Sequence, residues 1–88
     1  MDTFTFHTDP GHAWLEVPRK MLTELGIDSE ITGYSYQSGD HVYLEEDCDA
    51  VAFVKAYQGK HGRRPEFVEI YKEVTPIRGY QPYSGKEN

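Results

Sequence analysis

The stretch TFTFHTDPGHAWLEVP (3–18) constrains the fold more than any other part of the chain. Two runs of alternating apolar and polar residues flank Asp9-Pro10-Gly11. Proline presets φ for a turn and glycine tolerates positive φ, so the chain reverses at this point. A side-chain period of two then assigns each residue to a face. With Pro10-Gly11 as a two-residue loop, Phe6 falls opposite Leu15 and Phe4 opposite Val17. That register gathers the apolar side chains, Ala13 included, on one face. It leaves His7, His12, Trp14 and Glu16 on the other.

A second hairpin is expected from ITGYSYQ (31–37) and DHVYLEE (40–46) around Ser38-Gly39. That loop sets Tyr36 against His41 and Tyr34 against Tyr43, with Ser35 opposite Val42 and Gly33 opposite Leu44. Small residues at 33 and 35 let a helix approach one face, while the other carries three tyrosines and a histidine. Between the hairpins, Pro18 suits a first helical position and Met21, Leu22 and Leu25 form a stripe. Gly26 stands where a left-handed C-cap belongs, giving a short helix over 18–26. Ala50, Phe53, Val54 and Tyr57 keep helical spacing over 48–59, before Gly59 and Gly62. PEFVEIYKEV (65–74) fits either period, and a strand is favoured because it extends the sheet. The expected fold is α+β, a small antiparallel sheet of about five strands with two helices packed on one face. One domain spans 1–83, and the aperiodic tail is expected to be flexible over 84–88.

Fifteen acidic against nine basic side chains give a net charge of −6. Phosphate backbones repel such a chain, which argues against direct nucleic-acid binding and favours a protein partner with a basic surface. KHGRR (60–64) reads as a solvated basic loop too small for strong phosphate binding. MDTFTFHTDP is neither basic nor continuously apolar, and no apolar run approaches the roughly 20 residues of a membrane span. Cys48 is the only cysteine, which fits a reducing compartment. The protein is therefore expected in the cytoplasm, as a monomer or homodimer, without membrane contact.

YLEEDCDA (43–50) places four carboxylates around that cysteine, at the junction of a strand and a helix. Asp47 suits the N-cap and Asp49 the first turn, where the helix dipole favours a carboxylate. Helix chemistry thus accounts for two of the four acids and leaves Glu45 and Glu46 for a partner. Asp40, Tyr34, Tyr36, Tyr43 and Trp14 complete the expected contact set, because aromatic side chains anchor interfaces at low entropic cost. The alternative is a small enzyme or redox sensor using Cys48 as nucleophile and His12 as base. The helix start favours a thiolate there, and four neighbouring carboxylates oppose it. Oxygen ligands from Glu45, Glu46, Asp47 and Asp49, with His41, lack the glycine-broken spacing of a calcium loop. No metal and no cofactor is assigned.

GHAWLEVP (11–18) together with YLEEDCDA (43–50) resembles segments of a group of small uncharacterised bacterial, phage and plasmid proteins. Those domains of unknown function carry a His-Gly-aromatic or His-Gly-Gly segment and, later, an aromatic followed by Glu-Glu-Asp-Cys-Asp. PIRGY (76–80) is similar to their C-terminal ends, and Ala13 stands where they tend to have glycine. The resemblance implies a mobile-element setting, in which small acidic proteins often act by binding host machinery, inhibition of restriction or CRISPR defence included. Small size, net negative charge, the acidic run and the tyrosine face make a non-catalytic binding module the expected role.

Overall fold

The computed structural model describes residues 2–85. Strands β1 (Thr3–Thr8) and β2 (Ala13–Pro18) form the first hairpin in the expected register, with Phe6 opposite Leu15. Asp9 holds the turn closed, its Oδ1 accepting from the backbone N–H of Gly11 and of His12 at 2.9 Å each. Helix α1 (Arg19–Glu24) follows directly, with Pro18 as its cap rather than its first residue. Gly26 adopts φ 73°, and the N–H groups of Ile27 and Gly26 close back on the carbonyls of Leu22 and Thr23. This is the glycine-ended termination expected from the sequence.

The second hairpin is shorter than expected and differs in register. Strand β3 (Tyr36–Ser38) pairs with β4 (His41–Glu45), with Tyr36 opposite Tyr43 and Ser38 opposite His41. The loop is Gly39-Asp40, which puts the glycine, at φ 59°, in the first loop position, where a type II′ turn needs it. A two-residue slip preserves the faces, so Tyr36 and Tyr43 stay together. It removes Tyr34 from the strand altogether.

Helix α2 (Asp49–His61) runs through Gly59 and stops at Gly62, whose φ is 76°. Strand β5 (Glu66–Tyr71) follows, as favoured for that segment, but it pairs with β1 in parallel. The sheet is therefore mixed rather than wholly antiparallel. Since β4 runs in the same sense as β1, α2 is a crossover that carries the chain past β2 and β1 to the outer edge. The aperiodic segment ahead of the expected tail is structured. A 3-10 turn (Pro76–Gly79) leads into β6 (Gln81–Pro82), which pairs with β3 and makes the sixth strand. Ser84 is still tied down, its N–H donating to Gln37 Oε1, while the remainder of the expected tail, 86–88, lies outside the described residues. The strand order is β5-β1-β2-β4-β3-β6.

One side of the sheet carries the main core. Phe4, Leu15, Val17, Val42 and Leu44 pack with Leu22 of α1 and with Ala50, Phe53 and Tyr57 of α2. Phe53 meets Phe4 edge-on at 5.1 Å between ring centroids. Both helices thus contribute to one face, as the apolar spacing demands. No helix among the described residues is long and apolar enough to cross a membrane.

Candidate functional site

The acidic motif divides its labour differently from the sequence expectation. Asp47 is not the cap of α2. Cys48 occupies that position and makes no capping bond with its side chain. Glu45 supplies the acceptors instead, with Oε2 taking the N–H of Asp47 at 3.0 Å and Oε1 that of Cys48 at 3.1 Å. A glutamate at the end of the preceding strand reaches these amides because β4 runs straight into the helix start.

Asp49 is buried, and its role is tertiary. Oδ2 accepts from the N–H and the hydroxyl of Thr32 at 3.0 and 2.8 Å, and from the Ser35 hydroxyl at 2.5 Å. Ser35 Oγ in turn accepts the N–H of Glu45. The loop between α1 and β3 is thereby pinned to the helix start. Glu45 and Asp49 are both spent on the fold, and Glu46 and Asp47 remain exposed. Asp40 lies in the Gly39-Asp40 loop at the opposite end of β4, roughly 20 Å away at about 3.4 Å per residue. The acids from 40 to 49 do not form one patch.

The second face of the sheet is covered by the C-terminal segment. Tyr80 packs on Tyr43 at 5.1 Å, and the Arg78 guanidinium sits 5.3 Å above the Trp14 ring. Burial, reinforced by the Glu16 carboxylate and Tyr80, pushes the Tyr43 hydroxyl up to about 12. Arg78 grips Asp9 with two bonds, Nε to Oδ2 at 2.7 Å and Nη2 to Oδ1 at 3.0 Å. This guanidinium, with the two turn amides, holds the Asp9 carboxyl well below the ordinary carboxylate range against the opposing effect of burial. The same Nη2 lies 2.9 Å from His12 Nδ1, and His12 stacks on Trp14 at 17° between ring planes. Trp14 is 2% exposed, so it forms a floor rather than a contact surface.

At the edge of this cover lies a cavity of about 410 Å³, lined by His12, Tyr34, Tyr36, Asp47, Cys48 and Arg78, with Trp14 and Glu45 beneath. Six of the expected site residues thus meet in one place: His12, Trp14, Tyr34, Tyr36, Glu45 and Cys48. Tyr43 lies under Tyr80, and Glu46 faces a neighbouring groove with Phe6 and Phe67. Tyr34, released from the hairpin, stands 77% exposed. Among the described residues no hydrogen bond joins Cys48 to His12, whose Nδ1 is engaged by Arg78.

Asp9 and Arg78, which fasten the cover over the second face, were not among the expected site residues. Asp9 read only as a turn former, and Arg78 sits 69 residues away in a segment with no period. A charged residue inside PIRGY, between buried Ile77 and half-buried Tyr80, was the available signal. No family model, no curated protein and no solved structure matches the chain.

Proposed function

We propose that the chain is a small acidic protein-binding module that engages a basic partner without catalysis. The observation that carries this reading is Tyr34, a large aromatic held out in solvent at the mouth of a cavity beside exposed Asp47. Its backbone is fixed by the Asp49–Thr32–Ser35 bonds, and its own N–H donates to Thr32 Oγ1 at 3.2 Å. A rigid aromatic anchor beside uncompensated negative charge suits a partner that presents a cationic or apolar side chain. Net charge of −6 supports a basic protein over a nucleic acid. The likeness of GHAWLEVP and YLEEDCDA to phage and plasmid proteins directs the search to host components in the cytoplasm, defence-system subunits first.

Cys48 offers the test, because it is exposed at the cavity and is the only thiol. A photo-crosslinker attached there should label one basic host protein, identified by mass spectrometry. Tyr34→Ala and Asp47→Lys should each abolish that product. A product unchanged in both variants sinks the reading.

The shared cavity also supports a second reading, thiol chemistry at Cys48 with His12 as base. If His12 assists, His12→Ala slows alkylation of Cys48 at neutral pH at least tenfold. An unchanged rate ends that reading.

A further inference from the structure

Among the described residues, β5 is the outer strand of the sheet and no strand pairs with its far side. Glu66 N–H donates to Asp2 O at 3.1 Å and Lys72 N–H to Thr8 O at 2.9 Å. In a parallel ladder, alternate residues turn both main-chain polar groups to the same side. The main-chain groups of even-numbered residues therefore face β1, and Phe67, Glu69 and Tyr71 turn N–H and C=O groups to the open edge, where no described residue bonds them. The opposite edge of the sheet is different. There β6 has two residues, one of them Pro82, which has no N–H to donate.

Apolar side chains also stand out along β5 and just past its end, alongside the exposed Glu66 and Glu69. Val68, Ile70, Tyr71 and Val74 are 51%, 44%, 55% and 82% exposed, and among the described residues they are four of the six large apolar side chains standing out in solvent. Exposed apolar side chains along an unpaired strand edge are what strand addition uses. We infer that β5 is a homodimer interface, in which two copies pair antiparallel across a two-fold axis and join their sheets. This surface lies three strands from β4 and is independent of the binding cavity.

A second copy is the occupant because the sequence of β5 complements itself in one register. Partners across the axis must share parity, so the axis can pass through residue 68, 69 or 70. At 69, Glu69 meets its own copy. At 68, Arg64 meets Lys72, and Pro65 takes a position that needs an N–H. At 70, Ile70 meets Ile70 and Glu69 faces Tyr71, and the ladder ends there because Lys72 and Glu73 lie past the end of β5. No like charges then stand opposite one another. The pairing is also closed, since each edge is consumed by the other, and this removes the route to open-ended association.

Sedimentation of the full chain over about 1 to 500 µM tests the inference by mass action. The mass should rise from 10.1 kDa to twice that value across the series. Ile70→Lys and Ile70→Glu each set like charges on the axis and should sediment as monomers throughout. Mixing the two variants should restore the dimer. In a Cys48→Ser background, Ile70→Cys should crosslink spontaneously, because non-hydrogen-bonded pairs sit about 4.5 Å apart at Cα, within disulfide reach. Val68→Cys should not, its two copies being roughly 13 Å apart along the strands at about 3.4 Å per residue. Residue 70 is exposed, and circular dichroism of each variant reports that the fold is kept. A wild-type monomer at every concentration overturns the inference. So does a dimer indifferent to charge at residue 70, or crosslinking of Val68→Cys as fast as Ile70→Cys.

Discussion

Arg78 and Asp9, 69 residues apart, are joined by two hydrogen bonds of 2.7 and 3.0 Å that fasten the C-terminal segment to the first turn. The bidentate fork matches guanidinium to carboxylate geometry, and Asp9 has two turn amides on the same oxygen that Nη2 reaches. One carboxylate thus serves the turn and the strap at once.

That pairing protects Trp14, the single tryptophan and hence a clean fluorophore. Arg78→Ala removes the cation above the ring and one of the main ties of the segment over 76–80. Emission from Trp14 should shift to the red, and acrylamide should quench it roughly two- to threefold faster than in the wild type. Lys at the same position keeps the charge but loses the fork, so Arg78→Lys should fall between the two. Identical quenching in all three proteins would show that burial of Trp14 does not depend on the strap.

Acid should loosen the same contact. The Asp9 carboxyl is held well below its ordinary value of 3.8 in the folded chain and returns to it on unfolding. As pH falls below about 4 the unfolded state takes the proton first, which favours unfolding. The stability that Asp9 contributes is therefore complete above that pH, and it declines as pH falls towards the depressed folded value. Urea midpoints measured from pH 5 to about 2 should fall for the wild type. They should fall less steeply for Asp9→Asn, which starts lower but has no proton to bind there.

The difference between what was legible and what was not follows from range. The first hairpin was readable to the residue because Pro10-Gly11 and the alternation of Phe4, Phe6, Leu15 and Val17 specify one register between neighbours in sequence. The end of α1 was equally plain, since Gly26 and Ile27 form a local motif. The second hairpin slipped because Ser38-Gly39 and Gly39-Asp40 are both acceptable loops. Asp49 bonds Thr32 and Ser35 ahead of β3, and Ser35 Oγ takes the N–H of Glu45, so this stretch meets β4 through a side chain and not through a ladder. The parallel pairing of β5 and the docking of 76–82 depend on where α2 delivers the chain, which no local pattern encodes. The cavity was half legible. Tyr34, Tyr36, Glu45, Cys48 and His12 were named from type and spacing, but Arg78 and the different roles of the acids needed tertiary contacts.

Asp49 therefore carries more of the fold than its place in an acidic run suggests. Asp49→Ala leaves three buried or half-buried donors, the Thr32 N–H and the hydroxyls of Thr32 and Ser35, without an acceptor. The cost should be about 2–4 kcal/mol, read as a shift in urea unfolding at constant m. Asp49→Asn keeps one acceptor oxygen and loses the charge, so it should cost about half as much. Hydrogen exchange should also rise first in the loop between α1 and β3. A loss below about 0.5 kcal/mol for Asp49→Ala would place the anchor of that loop elsewhere.

The remaining acids separate fold from recognition. Glu45 caps the start of α2, and Glu45→Ala should cost about 1 kcal/mol of stability by freeing the amides of Asp47 and Cys48. Glu46 and Asp47 touch solvent, and Glu46→Lys with Asp47→Lys should change stability by no more than about 0.5 kcal/mol each. Their effect should appear in association, as a slower on-rate to the crosslinked partner and a flatter dependence on salt. The two measurements together decide the matter. If Glu45→Ala weakens partner binding without destabilising the protein, its carboxylate faces the partner instead of the helix. If Asp47→Lys destabilises as much as Glu45→Ala, the capping role returns to Asp47 and the acidic rim loses its claim to recognition.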